Sequence, residues 1–457
     1  MKVLKLESKL KGYKGKAKKL LQDHKLGIWD IIRIKTEKTI LEGIILPRAE
    51  FSLPDFIEIK LENNYNLGIH IDEVLEIEKI GVREAIYKIP EKTFPFNKEL
   101  PSVKLLGTGG TVASRLDYTT GAVIPSFTPG ELFSAVPELA DICNLECEVV
   151  FEILSENMTH TNWQSLAEKI KNAIDSGIEG IIIGHGTDTM SYTSAALSFM
   201  LKNLPIPVVL TGSQRSSDRP SSDAALNLIN SATVAISDIA EVTVVMLGST
   251  SHDYGLIHRG TLVRKMHSSV RNTFRTINSI PLGMVKDKQI RVFENEYQKR
   301  SKQKLELLTN FEKKTALIYY YPGASAELID FCTDHSYRGI VIAGTGLGHV
   351  GTYLYKSIER AIQEGIIVLM TTQTLHGFVG MNVYSTGREL QNLGVIPGRN
   401  MIPEVGYVKL GWVLGQTNDP KEVKSLLLAN IAGEFIEREL PIAFNYNIDE
   451  LLRTNKL

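Results

Sequence analysis

The feature that most limits what this chain can fold into begins after Pro101, where short apolar runs alternate with amphipathic stretches. The runs are Val103 to Leu106, Cys147 to Leu154, Gly180 to Ile183, Val208 to Leu210 and Val242 to Leu247. Helical stretches lie between them at Thr161 to Ser176, Ser191 to Lys202 and Ser222 to Ser237. Strands that are apolar along their whole length are buried on both faces, and a helix between strands supplies the crossover that a parallel pair needs. The pattern predicts an α/β core on a parallel sheet. A second, smaller α/β unit follows, with strands at Ala316 to Tyr321, Ile340 to Ala343 and Ile366 to Thr371 and helices near Ala324 to His335 and Val350 to Glu364.

The chain before this core has a different texture. The first 25 residues hold nine lysines against Glu7 and Asp23, which reads as a solvated basic face or as an RNA or partner contact surface. From Trp29 to about Ile80 come short alternating runs, IWDIIRIKT, TILEGIIL, FIEIKL and VLEIEKI, separated by turn-rich pieces; this spacing suggests a small β-barrel or sandwich. The expected organisation is a β-barrel domain with its basic leader over 1–85, a proline-marked linker over 86–101, and a large α/β domain carrying the active site over 102–297. A charged linker over 298–314, a smaller α/β domain over 315–433 and a charged tail over 434–457 complete it.

Composition excludes some classes. There are 51 Lys plus Arg against 52 Asp plus Glu, a net charge of −1, so the chain as a whole does not advertise nucleic-acid binding. Its apolar runs are far too short to span a bilayer and no signal-peptide pattern opens it, so a cytoplasmic enzyme or binding protein is expected, with no membrane contact. Cys143, Cys147 and Cys332 lack metal-type spacing and read as reduced thiols. The histidines, among them His160, His185, His252, His258, His267, His349 and His376, form no HExxH or other ligand pattern, so no metal is expected.

In parallel α/β sheets the loops after the carboxyl ends of the strands form the ligand site. The first, in VKLLGTGGTVAS, carries Gly107, Gly109, Gly110 and Thr111; it matches neither GxxxxGK[ST] nor GxGxxG, which weakens a phosphate-cradle reading. The second carries Ser155 and Glu156. The third, GHGTDTMSYT, carries Thr187 and Asp188, and the later run HRGTLVRKMHSSVRNTF carries Lys265. A threonine hydroxyl is a poor nucleophile near neutral pH and needs a base and an oxyanion site. Asp188 can hold Lys265, and a lysine taken out of water can lose its proton and act as a base through Thr187. The set is then analogous to a Ser-His-Asp triad. Taken singly, Thr187 and Asp188 read equally well as caps of the helix beginning near Ser191, and Lys265 as a surface charge.

GTGGTVAS, HGTDTMSYT and RGTLVRKMHSSVRNTF resemble the signature segments of the bacterial-type L-asparaginases, a likeness running from about Val103 to Ile431. The resemblance implies an asparaginase-like core in which Thr111 attacks the side-chain amide and Thr187, Asp188 and Lys265 form the second catalytic set. It implies that Tyr118 sits on a mobile lid, and that Ser155 and Asp188 hold the substrate's α-carboxylate and α-amine, with Glu156 where family members often have glutamine. It implies a homodimer, with Gly344 to Gly351 and the Gln373 to Met401 segment near its interface. The domain ahead of GTGGT departs from plain asparaginases and, with GIILPR and IEIKLENNYNLGI, is similar to the family of archaeal glutamyl-tRNA(Gln) amidotransferase D subunits. That likeness implies a glutaminase releasing ammonia from glutamine. A partner, the E subunit of the amidotransferase, would bind the charged tRNA and use ATP and Mg2+ to turn Glu-tRNA(Gln) into Gln-tRNA(Gln), with no cofactor in this chain. The competing readings are a free-standing asparaginase with an accessory domain and a catalytically dead RNA- or protein-binding scaffold.

Overall fold

The computed structural model describes residues 10, 12–48, 52–63, 65–82, 96–109, 114–116, 123–125, 136–215, 221–439, 441–444, 447, 448 and 451. The chain forms two compact units, one holding an N-terminal antiparallel sheet and the other the α/β sheets.

The first unit opens with helix α1 (Gly15–Asp23), followed by strands β1 (Asp30–Lys35), β2 (Ile40–Ile45), β3 (Phe56–Leu61), β4 (Asn66–His70) and β5 (Glu76–Val82). The strands form one antiparallel sheet in the order β4-β3-β2-β1-β5. Alternation in β1 sends Ile32 and Ile34 inward, where they pack with Ile45, Ile57 and Ile59. Helix α1 closes this core by burying Ala17 and Leu21, one turn apart. Five antiparallel strands bear out the all-β expectation, but among the described residues the ladders leave β4 and β5 as edges, so a closed barrel is not seen.

The second unit carries an eight-stranded sheet. Its members are β6 (Ser102–Gly107), β7 (Asn144–Val149), β8 (Gly180–Gly184), β9 (Val208–Thr211), β10 (Val242–Leu247), β11 (Gly255–Arg259), and, after a small hairpin of β12 (Val263–Lys265) with β13 (Phe274–Thr276), β14 (Gly283–Lys286) and β15 (Gln289–Val292). The order is β15-β14-β11-β10-β9-β8-β6-β7. The five strands from β7 to β10 are parallel as expected, whereas β11, β14 and β15 run antiparallel, so the sheet is mixed. The reason is the short link from Gly248 to Tyr254, since a parallel crossover needs a dozen or more residues and a shorter one turns back. The second strand also sits earlier than its apolar run suggested, over Asn144–Val149, which leaves Val150 to Leu154 as the approach to a 3-10 turn at Ser155–Asn157.

Helices α2 (His160–Asp175), α3 (Met190–Met200) and α4 (Ala224–Ala235) lie within a residue or two of their expected places. A four-stranded sheet follows, with β16 (Thr315–Tyr319), β17 (Gly339–Gly344), β18 (Ile367–Thr372) and β19 (Ile396–Pro397) in that order, all parallel. Its helices are α5 (Glu327–Asp334), α6 (Tyr355–Gln363), α7 (Ser385–Leu393), α8 (Pro403–Gln416) and α9 (Pro420–Leu428). One apolar cluster joins Leu106, Ile181 and Phe199 of the larger sheet layer to Val341, Leu369 and Val408 of the smaller one. Beyond residue 433, where a charged tail was expected, Ile448 and Leu451 pack against Leu256 and Met284, and Glu434 is fully buried.

Candidate active site

The site is built at the carboxyl ends of β6 and β8, which are paired in parallel and end level with each other at Gly107 and Gly184. Thr108 locks the two exits together, its N–H and hydroxyl both donating to the Gly184 carbonyl at 2.9 and 3.0 Å. Gly109 follows with φ +103°, and a Cβ there would stand 2.2 Å from the Ile153 carbonyl oxygen. This glycine is therefore needed for close approach of the Val150 to Leu154 segment. That segment delivers Ser155, 5% exposed, against Gly186, where a Cβ would lie 2.7 Å from the Ser155 Cβ. Thr189 completes the clamp by donating its hydroxyl to the Ser155 carbonyl at 2.7 Å.

Immediately past β8, Thr187 is buried and Asp188 is exposed. Lys265 ends β12, whose hairpin with β13 pairs Lys265 with Phe274 and is closed by the Met266 N–H donating to the Thr273 carbonyl at 2.8 Å. Its Nζ donates to Thr187 Oγ1 at 2.8 Å and to Asp188 Oδ1 at 2.8 Å. The lysine side chain is 12% exposed and that of Asp188 68%, so the pair opens to solvent on the carboxylate side. The capping alternative fails, because the N-cap of α3 is Thr189 and no side chain caps it. Thr187, Asp188 and Lys265 are thus brought together, and Ser155 is linked to them through Thr189. Lys265 arrives on a separate two-stranded hairpin and not, as expected, on a loop of the main sheet edge. Glu156 is exposed in the 3-10 turn after Leu154. Gly110, Thr111 and Tyr118 lie outside the described residues.

One supporting residue escaped the sequence reading. His185, buried at the end of β8, has Nδ1 2.7 Å from the Gly186 carbonyl and Nε2 2.8 Å from Thr193 Oγ1. A carbonyl only accepts, so the proton sits on Nδ1 and Nε2 accepts the Thr193 hydroxyl. Thr193 Oγ1 in turn accepts the Trp163 indole N–H at 3.0 Å. Burial lowers the His185 pKa to about 4, which keeps the ring neutral and this tautomer in place. The chain of bonds fixes the Gly186–Thr187 peptide from behind. Its signal in the sequence was a histidine placed directly after the apolar strand Gly180–Gly184, which spacing alone does not mark as a support of the site.

The hairpin carrying Lys265 has two anchors. Thr276 on β13 shares a 2.8 Å contact with His258 Nδ1 on β11, a histidine whose burial lowers its pKa to about 3. On the other side Arg264 Nε pairs at 2.9 Å with Glu404 in the first turn of α8, a carboxylate whose side chain is 5% exposed. Among the described residues no group of three His, Cys, Asp or Glu is placed to hold a metal ion. A polar cleft of about 330 Å³ is lined by Gln164, Asn310, Glu312, Arg338 and Gln416, and by none of the site residues.

Three family models match the chain: Asparaginase, N-terminal, over residues 102–298; Glutaminase/Asparaginase C-terminal domain over 314–427; and GatD N-terminal domain over 26–80. The chain is 50% identical over 430 residues to the glutamyl-tRNA(Gln) amidotransferase D subunit of Thermococcus kodakarensis, covering 92% of this chain and 97% of that protein. It is 48% identical over 435 residues to the D subunit of Methanopyrus kandleri, covering 93% and 95%. Among solved structures, the thermostable L-asparaginase from Thermococcus kodakarensis is similar at a TM-score of 0.66 and 32% identity, covering 74% of this chain and all of that one. A probable cytoplasmic L-asparaginase from Campylobacter jejuni gives 0.63 at 27% identity, covering 72% of this chain. With half its residues shared along nine-tenths of its length, the chain belongs to the family of glutamyl-tRNA(Gln) amidotransferase D subunits, on an asparaginase-type core.

Proposed function

We propose that this chain is the glutaminase component of a glutamyl-tRNA(Gln) amidotransferase. The observation that carries the reading is Lys265 held between Thr187 and Asp188 at 2.8 Å in a chain that also matches the GatD N-terminal domain. In this account Thr111 attacks the glutamine side-chain amide and Tyr118 helps to activate it. Thr187 and Lys265 form the proton-transfer set: Lys265 serves as the base through the Thr187 hydroxyl, Asp188 holds it in place, and the proton is passed on to the departing amide nitrogen. Backbone at Gly110 stabilises the oxyanion, and loss of ammonia leaves an acyl-threonine that water hydrolyses to glutamate. Ser155 and Asp188 orient the α-carboxylate and α-amine, and Glu156 shapes the end that separates glutamine from asparagine.

The ammonia is delivered to the E subunit, which binds Glu-tRNA(Gln) and activates its γ-carboxyl with ATP and Mg2+; this chain holds neither cofactor. The chain works in the cytoplasm as a homodimer, and its N-terminal sheet is part of a small barrel. A free-standing asparaginase is the second reading, supported by the likeness to two such enzymes. The matches to D subunits extend across the N-terminal unit and favour the first. The deciding experiment measures ammonia release from glutamine and from asparagine by the purified chain, alone and with the E subunit and Glu-tRNA(Gln). The proposal expects glutamine hydrolysis that rises when partner and charged tRNA are added. Full-rate asparagine hydrolysis by the chain alone, unaltered by either addition, sinks it.

A further inference from the structure

The cations of the N-terminal sheet and those of the helix that covers its core are treated differently by the fold. On the sheet, Arg33 pairs with Glu42 and Glu78 at 2.7 and 2.8 Å, Lys35 with Glu76 at 2.7 Å, and Lys79 with the buried Asp30 at 2.6 Å. On α1 and the turn after it, Lys16, Lys18, Lys19 and Lys25 have no carboxylate partner among the described residues. Lys14, Lys16, Lys19 and Lys25 are exposed and Lys18 half-buried, while Ala17 and Leu21 pin the other face to the core beside Tyr13 and Leu26. Helix rotation cannot hide the lysines without exposing those apolar residues. Asp23 is the single acid on the helix.

The chemistry of the face selects its occupant. None of the exposed large apolar side chains lies between Lys14 and Lys25, and protein interfaces are depleted in lysine and built on aromatic and apolar anchors. A row of ammonium groups with no carboxylate partner or apolar anchor among the described residues suits the phosphate backbone of a nucleic acid, where charge neutralisation and counterion release supply the affinity. We propose that the lysine face of α1, Lys16, Lys18, Lys19 and Lys25, is a docking surface for the phosphate backbone of a structured RNA. The proposal goes beyond the glutaminase reading, which concerns amide hydrolysis by Thr111, Thr187 and Lys265, and its test reads RNA affinity rather than ammonia release.

The test titrates a fluorescent tRNA transcript with the full chain at a series of salt concentrations, for the native sequence and for the combined variant K16Q/K18Q/K19Q/K25Q. Removing one phosphate contact lowers the slope of log affinity against log salt by about 0.7 to 0.9, so the variant slope is expected to be shallower by roughly 2 to 4. Affinity at low salt falls at least tenfold, equally for unrelated tRNA sequences, because phosphates carry no sequence information. Unaltered thermal unfolding and unaltered glutamine hydrolysis without RNA show that the variant is folded. Three results each overturn the proposal: no RNA binding by the native chain, equal slopes and affinities for chain and variant, or loss of binding to the E subunit with RNA affinity retained. The last would assign the face to a protein partner.

Discussion

Lys265 answers to two partners at once, and its value lies in geometry rather than in net attraction. An exposed ion pair contributes little, so the Asp188 contact matters for where it holds the ammonium group. Replacing Lys265 with methionine keeps the stem and removes both hydrogen bonds; glutamine hydrolysis is expected to fall by roughly 10³ or more, with thermal unfolding almost unaltered. Replacing Thr187 with valine is expected to cost roughly 10² to 10⁴ in rate for the same reason. A variant with full activity would remove that residue from the mechanism. His185 and His258 make a second claim at this scale. Both are held neutral by burial, with pKa values lowered from 6.5 to about 4 and about 3. Between pH 6.5 and those values the unfolded chain binds more protons than the folded one, so stability is complete above about pH 6.5 and falls as pH drops through the folded values. The loss approaches about 1.4 kcal/mol per pH unit for each histidine. Urea midpoints from pH 8 to pH 4.5 check this: His185→Asn should be less stable at pH 8 and lose stability less steeply on acidification. An equally steep loss would show that His185 does not carry the proton linkage.

At the scale of elements, the continuous buried strands and their alternating helices were legible because a strand buried on both faces must be apolar throughout. Gly180 to Ile183, Val208 to Leu210 and Val242 to Leu247 all fall within strands of the main sheet. The antiparallel half was hidden in the short link after Leu247, and Val263 to Lys265 is too brief a strand for period-2 patterning to reveal. The C-terminal strap, from Glu434 onward, was hidden too, because the residue that begins it is charged and reads as surface although it is buried. Lys409 in α8 and Glu434 are both fully buried and 2.5 Å apart, and the lysine also donates to the Leu427 and Ala429 carbonyls. Burial lowers the Lys409 pKa while Glu434 pulls it back up. Removing one partner strands a charge in the interior, so Lys409→Met is expected to destabilise the chain by about 3 to 5 kcal/mol. The double variant Lys409→Met/Glu434→Leu should recover most of that loss in denaturant unfolding. If the double variant is no more stable than the single one, coupling between the two charges is not what holds the strap.

At the scale of the whole molecule, chemistry and assignment come from different parts of the chain. The asparaginase-type core presents Thr187, Asp188 and Lys265 at the ends of its strands, while the antiparallel N-terminal unit carries the match that separates the D subunits from plain asparaginases. The residue types gathered at the site were legible because Thr187, Asp188 and Lys265 stood in order in the segments that follow the strands. How Lys265 reaches Thr187 was not, since 78 positions separate them and contact across such a distance is made only by the fold. The central claim is that the chain supplies ammonia from glutamine, which makes Thr111 dispensable when ammonia is given directly. The measurement is formation of Gln-tRNA(Gln) from Glu-tRNA(Gln) by the complex of Thr111→Ala with the E subunit and ATP, once with glutamine and once with ammonium chloride. The account predicts no product from glutamine and near-native product from ammonium; undiminished product from glutamine would contradict it.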